Sequence, residues 1–241
     1  MTLHGQRVLV VGASSGIGRA IAVAASAAGA RVALGARRGD RLADAVAECG
    51  PNAIACEADV REPTACASLV ATATDTFGGL DAVVYAAGVS NMALVVDTDA
   101  AEWRRILETN VIGAALVFAA ASKQLAAHHG RFLVLSSISV HRPKHGLVPY
   151  AASKAALGAL IQGLRTEHPD VELTVVTVGP TGPAEFGRDF DPVLSEQLMA
   201  AWRAGGFLAP GQMTTSDVAD RIVQCLSSPM RTEELVLLPR P

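Results

Sequence analysis

The sequence predicts an α/β fold: a single parallel β-sheet, doubly wound, with helices on both faces. Three observations carry the prediction. Short β-branched runs alternate with longer Ala-rich stretches of helical spacing along the whole chain. The strand runs are apolar nearly throughout, as in strands covered on both faces. Hydrophobic residues make up 50% of the chain but aromatics only 4%, so Ala, Val, Leu and Ile carry the core and let helices pack closely. Right-handed crossovers between parallel strands then give the double winding.

In chain order, strands are expected at Arg7–Val11, Arg31–Leu34, Asn52–Cys56, Ala82–Tyr85, Arg131–Leu135, Glu172–Val178 and Glu234–Leu238. Between them, helical spacing marks Gly16–Ala28, Asp40–Glu48, Pro63–Phe77, Asp99–Ala127, Tyr150–Thr166 and Ser216–Leu226. Residues 179–211 are irregular, punctuated by Pro180, Pro183, Pro192 and Pro210 and by six glycines, with one helix expected at about Pro192–Ala204. This segment follows the carboxyl end of a strand, where such sheets bind ligands, so a substrate loop at about 180–212 is expected rather than a plain solvent loop. No linker, charge run or repeat divides residues 1–241, which reads as one domain.

Composition excludes several partners. Lys+Arg (20) is below Asp+Glu (23), the net charge is -3 and there is no basic block, so no nucleic-acid partner is expected. The longest apolar runs, such as Ala20–Ala30 and Val111–Ala121, contain Ser or Gly and fall short of a membrane span of roughly 18 residues. The amino terminus has no long apolar core, so no signal peptide is expected. Cys49, Cys56, Cys66 and Cys225 form no CxxC pair and read as buried thiols of a reducing, cytoplasmic compartment; no metal site is expected.

The chemistry begins where the first strand ends, in Gly12-Ala13-Ser14-Ser15-Gly16-Ile17-Gly18. Gly12 permits a tight turn, Gly16 lets backbone approach a pyrophosphate at a helix amino terminus, and Gly18 lets helix and sheet approach closely. Tyr150 and Lys154, four apart, share one helical face. An ammonium ~4 Å from a phenol at an effective dielectric of ~20 contributes roughly 4 kcal/mol, enough to bring the phenol from about 10 to near 7, where a general acid/base works best. Ser137, at the carboxyl end of a strand, points into the crevice and would hold a substrate oxygen; Ser136 and Ser139 compete, and spacing favours Ser137. His141 has no Gly-x-Ser-x-Gly elbow to serve, which disfavours a serine hydrolase. Asn110 interrupts an apolar helix, either as a local kink or as a site residue. After the second strand stands Ala36-Arg37-Arg38, without the carboxylate that would hold the ribose 2′-hydroxyl of NAD. Two arginines, helped by Ser14 and Ser15, suit a 2′-phosphate instead.

The spacing G-x-x-x-G-x-G, with Asp59-Val60, Ala86-Ala87-Gly88, Asn110, Ser137 and Tyr150-x-x-x-Lys154 in order, resembles the short-chain dehydrogenase/reductase family in its compact form. The resemblance covers nearly the whole chain. It implies a Rossmann-like fold and a nicotinamide cofactor, NADP(H) by the arginines above. It implies Asn110, Ser137, Tyr150 and Lys154 as the catalytic set, with Asn110 holding a water in a proton relay from Lys154. Cofactor contacts would come from the glycine turn, Arg37, Arg38, Asp59, Val60, Ala87, Gly88, Tyr150 and Lys154, and from Pro180, Thr181 and Gly182. The substrate would be a small carbonyl/alcohol pair, and the assembly a homotetramer or homodimer. Two departures stand out. Ala86 replaces the family's usual Asn, and in the run 179–186 Thr181 replaces a Gly while Glu185 stands about where the family has a Thr for the nicotinamide carboxamide. The alternatives are a catalytically silent dinucleotide sensor on the same fold, or an NAD-dependent alcohol dehydrogenase.

Overall fold

The computed structural model describes residues 2–182, 185–187, 190–208 and 211–240, and of residue 185 the backbone only. The strands are β1 (Arg7–Val11), β2 (Arg31–Ala36), β3 (Ala53–Glu57), β4 (Ala82–Tyr85), β5 (Arg131–Ser137), β6 (Glu172–Val178), two short strands β7 (Thr181–Gly182) and β8 (Met213–Thr214), and β9 (Glu234–Leu237). Seven of them form one parallel sheet in the order β3-β2-β1-β4-β5-β6-β9. The order reverses beside β1, whose neighbours are β2 and β4. Diverging loops there leave a crevice at the carboxyl ends of the strands.

Alternation along β1 divides the core. Val8 and Val10 face α1 (Gly16–Ala27), α2 (Gly39–Cys49) and α8 (Thr215–Ser227), through Ile21, Leu42 and Ile222. Leu9 and Val11 face α3 (Pro63–Phe77), α5 (Gly113–Ala127) and α6 (Val148–Glu167), through Leu69, Phe118 and Leu157. All these residues are buried, so the central strand β1 is apolar on both faces, as its composition required. The four cysteines are free and buried.

The helix expected at Asp99–Ala127 has more structure than its apolar pattern announced. Asp99 caps α4 (Ala100–Leu107) by accepting from the Glu102 N–H. A π-helical turn, Glu108–Ile112, then leads into α5, with the Gly113 N–H reaching back to the Glu108 carbonyl. Such turns are uncommon and gather at functional sites. The Thr109 carbonyl is taken by the Tyr85 hydroxyl at 2.5 Å. The continuous helix Ala100–Ala127 is long and apolar enough, by length and composition alone, to cross a membrane. The apolar run Val111–Ala121 is only part of this helix and by itself gives no sign of that length. Val117, Phe118, Ala121 and Leu125 are nevertheless buried against the sheet, which accounts for the apolar stretch.

The segment after β6 is a packed cover. β7 pairs with β8, and the Met213 N–H donates to the Pro180 carbonyl at 2.9 Å, tying the two ends of the excursion together. Helix α7 (Pro192–Ala204) turns Leu198 and Trp202 into a third cluster with Met92 and Leu147. The Trp202 indole donates to the His145 carbonyl at 3.0 Å. A pair as short as β7 and β8 has no periodicity to read, so the sequence offered no sign of it.

Candidate active site

The carboxyl ends of the central strands open into one cleft of about 850 Å³. Of the catalytic and cofactor-contact residues expected above, all but Ala13, Asn110 and Gly182 line it. Gly12 has φ +89, and a Cβ there would come within 2.5 Å of the Ala87 nitrogen; a Cβ on Gly18 would stand 2.3 Å from the Gly12 carbonyl oxygen. Any side chain at either position would push β1, β4 and α1 apart. A Cβ on Gly16, by contrast, would meet nothing within 4 Å, so the turn presents open backbone to the cleft. Helix α1 has no side-chain cap and no acidic residue in its first turn. Its free N–H groups and dipole are left for an anion. The turn therefore fits a dinucleotide pyrophosphate.

The two arginines divide their contacts. Arg38 Nη2 donates to the hydroxyls of Ser14 and Ser15 at 3.1 and 2.9 Å, joining the end of β2 to the glycine turn. Arg37 is half exposed, 3.8 Å from Asp59. Asp59 is clamped at 2.6 Å by Arg61, whose guanidinium holds that carboxyl below the ordinary value. Val60 is buried beside Gly113. Ala86 sits at the β4 exit, its N–H on the Val11 carbonyl.

Asn110 is fully buried beneath the cleft. Its Oδ1 accepts from the Val89 N–H at 2.8 Å, and its Nδ2 donates to the Val89 carbonyl and to Ser153 Oγ, both at 2.9 Å. It braces the chain leaving β4 against α6. The π-helical turn presents Asn110, and a Cβ on Gly88 would lie 3.5 Å from Asn110 Oδ1 and 3.3 Å from Lys154 Nζ.

Ser137, Tyr150 and Lys154 come together across β5 and α6. Ser137 ends β5, its hydroxyl 3.2 Å from that of Ser139, and its nearness pulls the Tyr150 phenol down. Burial outweighs that pull and pushes Tyr150 up to about 12. Lys154 Nζ donates to the Leu135 carbonyl at 2.7 Å and lies 5.7 Å from the Tyr150 ring centroid. Burial lowers this ammonium to about 8. Tyr150 is therefore not the phenol near 7 that its spacing from Lys154 predicts: helix spacing counts the attraction of the ammonium but not the desolvation that acts on both groups.

Thr181 Oγ1 donates to the Gly179 carbonyl at 3.0 Å, and the Pro180 carbonyl is already taken. Pro183 and Ala184 and the Glu185 side chain lie outside the described residues, and with them the expectation about the nicotinamide carboxamide. The sequence marks the loop at about 180–212 but not the side chains that wall the cleft. These include Lys144, Phe186, Met199, Trp202, Leu208 and Gln212. One signal was available: Leu194, Leu198 and Trp202 recur at intervals of four, a stripe on α7. Tyr85, the other of the two tyrosines, is buried with its hydroxyl on the Thr109 carbonyl and does not line the cleft.

A doubly wound sheet with an open glycine turn and a Ser–Tyr–Lys cluster in one cleft defines a dinucleotide-binding α/β protein. The family described as short chain dehydrogenase matches residues 6–184. The chain belongs to the short-chain dehydrogenase/reductase family. It is 32% identical over 246 residues to the glycine betaine reductase of Emericella nidulans, covering 99% of this chain and 19% of that protein. It is 36% identical over 183 residues to the 11-beta-hydroxysteroid dehydrogenase 1A of Arabidopsis thaliana, covering 73% of this chain and 52% of that one. The chain thus spans about a fifth of the fungal relative and about half of the plant one. Among solved structures, an alcohol dehydrogenase of Thermococcus sibiricus complexed with 5-hydroxy-NADP superposes with a TM-score of 0.85 at 26% identity, covering 98% of each chain. A short-chain type dehydrogenase/reductase of Mycobacterium marinum gives 0.86 at 28% identity, over 98% of this chain and 95% of that one.

Proposed function

We propose that the chain is an NADP(H)-dependent oxidoreductase that interconverts a carbonyl compound and its alcohol, on one domain, with Tyr150 as general acid/base. The convergence of Ser137, Tyr150 and Lys154 on the cleft that also holds the open glycine turn carries this reading. NADPH, when bound, supplies a hydride to the carbonyl carbon. The Tyr150 hydroxyl gives its proton to the oxygen as charge develops there. The Ser137 hydroxyl donates a hydrogen bond to the same oxygen and so orients the carbonyl. Lys154, held by the Leu135 carbonyl, places positive charge beside the phenolate that forms. The glycine turn and the α1 amino terminus would hold the pyrophosphate.

NADP(H) is favoured over NAD(H) because the end of β2 offers Arg37 and Arg38 and no carboxylate, with Arg38 already on Ser14 and Ser15. The Thermococcus protein bound to an NADP derivative supports the same choice. An arginine–phosphate pair contributes roughly 1.5–3 kcal/mol, or about ten- to a hundred-fold in affinity. The expected result is a kcat/KM for NADPH at least about tenfold above that for NADH, lost in the Arg37→Ala, Arg38→Ala double variant. Equal values in the wild type would withdraw the NADP assignment and leave an NAD-dependent alcohol dehydrogenase.

A silent dinucleotide sensor is the second reading, favoured by the altered run 179–186, where Thr181 replaces a Gly and Glu185 stands about where the family has a Thr. NADPH fluorescence titration followed by turnover on a panel of ketones and aldehydes separates the two: tight binding with no turnover selects the sensor. A homotetramer or homodimer in the cytoplasm is part of the proposal. Ala155, Gly158 and Ala159 on α6 offer small residues for close helix pairing, and a Cβ on Gly158 would meet nothing within 4 Å. Light scattering at micromolar concentration should give at least twice the 24.8 kDa chain mass; a monomer mass refutes the assembly.

A further inference from the structure

Lys144 is a cation of the cleft that the hydride chemistry leaves unused. It lines the same cavity as Tyr150, among Leu147, Met199, Trp202 and Leu208 of the cover. Its backbone is held firmly. The Leu147 N–H donates to the Lys144 carbonyl at 3.0 Å, and the turn passes through Gly146 at φ +79, where a Cβ would stand 2.5 Å from Leu198 Cδ1. Trp202 closes the same turn through the His145 carbonyl. The ammonium lies 4.8 Å from the Trp202 ring centroid. Among the described residues it has no carboxylate and no hydrogen-bond acceptor within reach. A cation–π contact satisfies the charge in part and leaves three N–H donors free. Burial, and then the neighbouring Arg142, lower its pKa, so a negative charge brought beside it relieves an existing cost.

Among the described residues, the cover lines the cleft with the apolar Phe186, Met199, Trp202 and Leu208 and with the uncharged polar Thr181 and Gln212, and the acidic side chain of the lining, Asp59, is already paired with Arg61. An ammonium without a carboxylate partner, beside a wall of Leu147, Met199, Trp202 and Leu208, matches a ligand with one negative charge and an apolar body. We infer that the substrate is an oxo acid or hydroxy acid, and that Lys144 selects it by binding the carboxylate while Tyr150 serves the carbonyl or alcohol oxygen. This names the substrate class of the oxidoreductase proposed above and rests on that reading for the turnover step only.

The test has a binding arm that needs no hydride transfer. The chain has two tryptophans, so in a Trp103→Phe background the emission reports Trp202. This protein is titrated with 4-phenylbutanoate and with its neutral amide. The carboxylate should change the emission saturably and bind about tenfold or more tighter than the amide. Lys144→Met should erase that preference and Lys144→Arg should keep it. Equal affinities, no response to either compound, or a preference surviving Lys144→Met overturns the inference. In the turnover arm, a keto acid is compared with its methyl ester. Lys144→Met should lower kcat/KM for the acid about tenfold or more through KM and leave the ester within about twofold. An intact binding preference with no turnover of either substrate would sink the oxidoreductase reading and leave the carboxylate site standing.

Discussion

Tyr150→Phe should lower turnover by about 10³ or more while leaving NADPH affinity within a few-fold. The variant keeps the ring. Its edge contact with Phe186, at 5.0 Å between centroids, and its place 5.7 Å from the Lys154 amine need no hydroxyl, so the cleft should keep its shape. What is lost is the proton given to the forming alkoxide, which acts in the transition state and not in cofactor binding. Burial holds the phenol at about 12, so it is protonated across the neutral range and ready as an acid for carbonyl reduction. Alcohol oxidation needs the phenolate and should therefore quicken as pH rises. Steady-state rates in both directions, with a cofactor titration on the same preparation, check this. A variant retaining a tenth of the activity would remove Tyr150 from the proton transfer.

Lys154→Met should separate activity from stability. Activity should fall about a hundredfold or more, since the phenolate loses its positive neighbour. Stability at pH 7 should rise. Lys154 is 5% exposed, and burial lowers it from 10.5 to about 8. That difference corresponds to roughly 3 kcal/mol of strain in the charged folded form. The sign follows from which state holds the proton. Below pH 8 both folded and unfolded chains carry it, and the full cost of burying the charge is present. Between about 8 and 10.5 the folded chain releases the proton first, and the cost fades; above 10.5 it is gone. The lost hydrogen bond to the Leu135 carbonyl takes back about 1 kcal/mol. A net gain of about 2 kcal/mol at pH 7 should therefore shrink toward zero or below at pH 11. Denaturant melts at the two pH values measure it. A variant less stable than wild type at pH 7 would show that Lys154 is not strained in the folded chain.

The fold and most of the cleft were legible in the residues themselves, for a local reason. Apolar period, β-branched runs and glycine position are properties of neighbouring residues, and they placed β1 to β6, β9 and the covering helices to within one or two residues in nearly every case. The glycine turn was readable because backbone geometry at Gly12 and the close approach at Gly18 admit no side chain. The order of Ser137, Tyr150 and Lys154 along the chain was readable through the resemblance. What the tertiary structure decided depends on groups distant in sequence. Asn110 meets Val89 and Ser153 only because the π-helical turn carries it under β4. Arg38 rather than Arg37 reaches the serines because β1 and β2 are neighbours in register. The phenol near 7 failed because spacing on a helix says nothing of desolvation, which depends on everything packed around Tyr150 and Lys154. Lys144 had no local signature at all. Its meaning comes from α7, more than fifty residues later, which lays Trp202 beneath its ammonium and walls the cleft with apolar side chains.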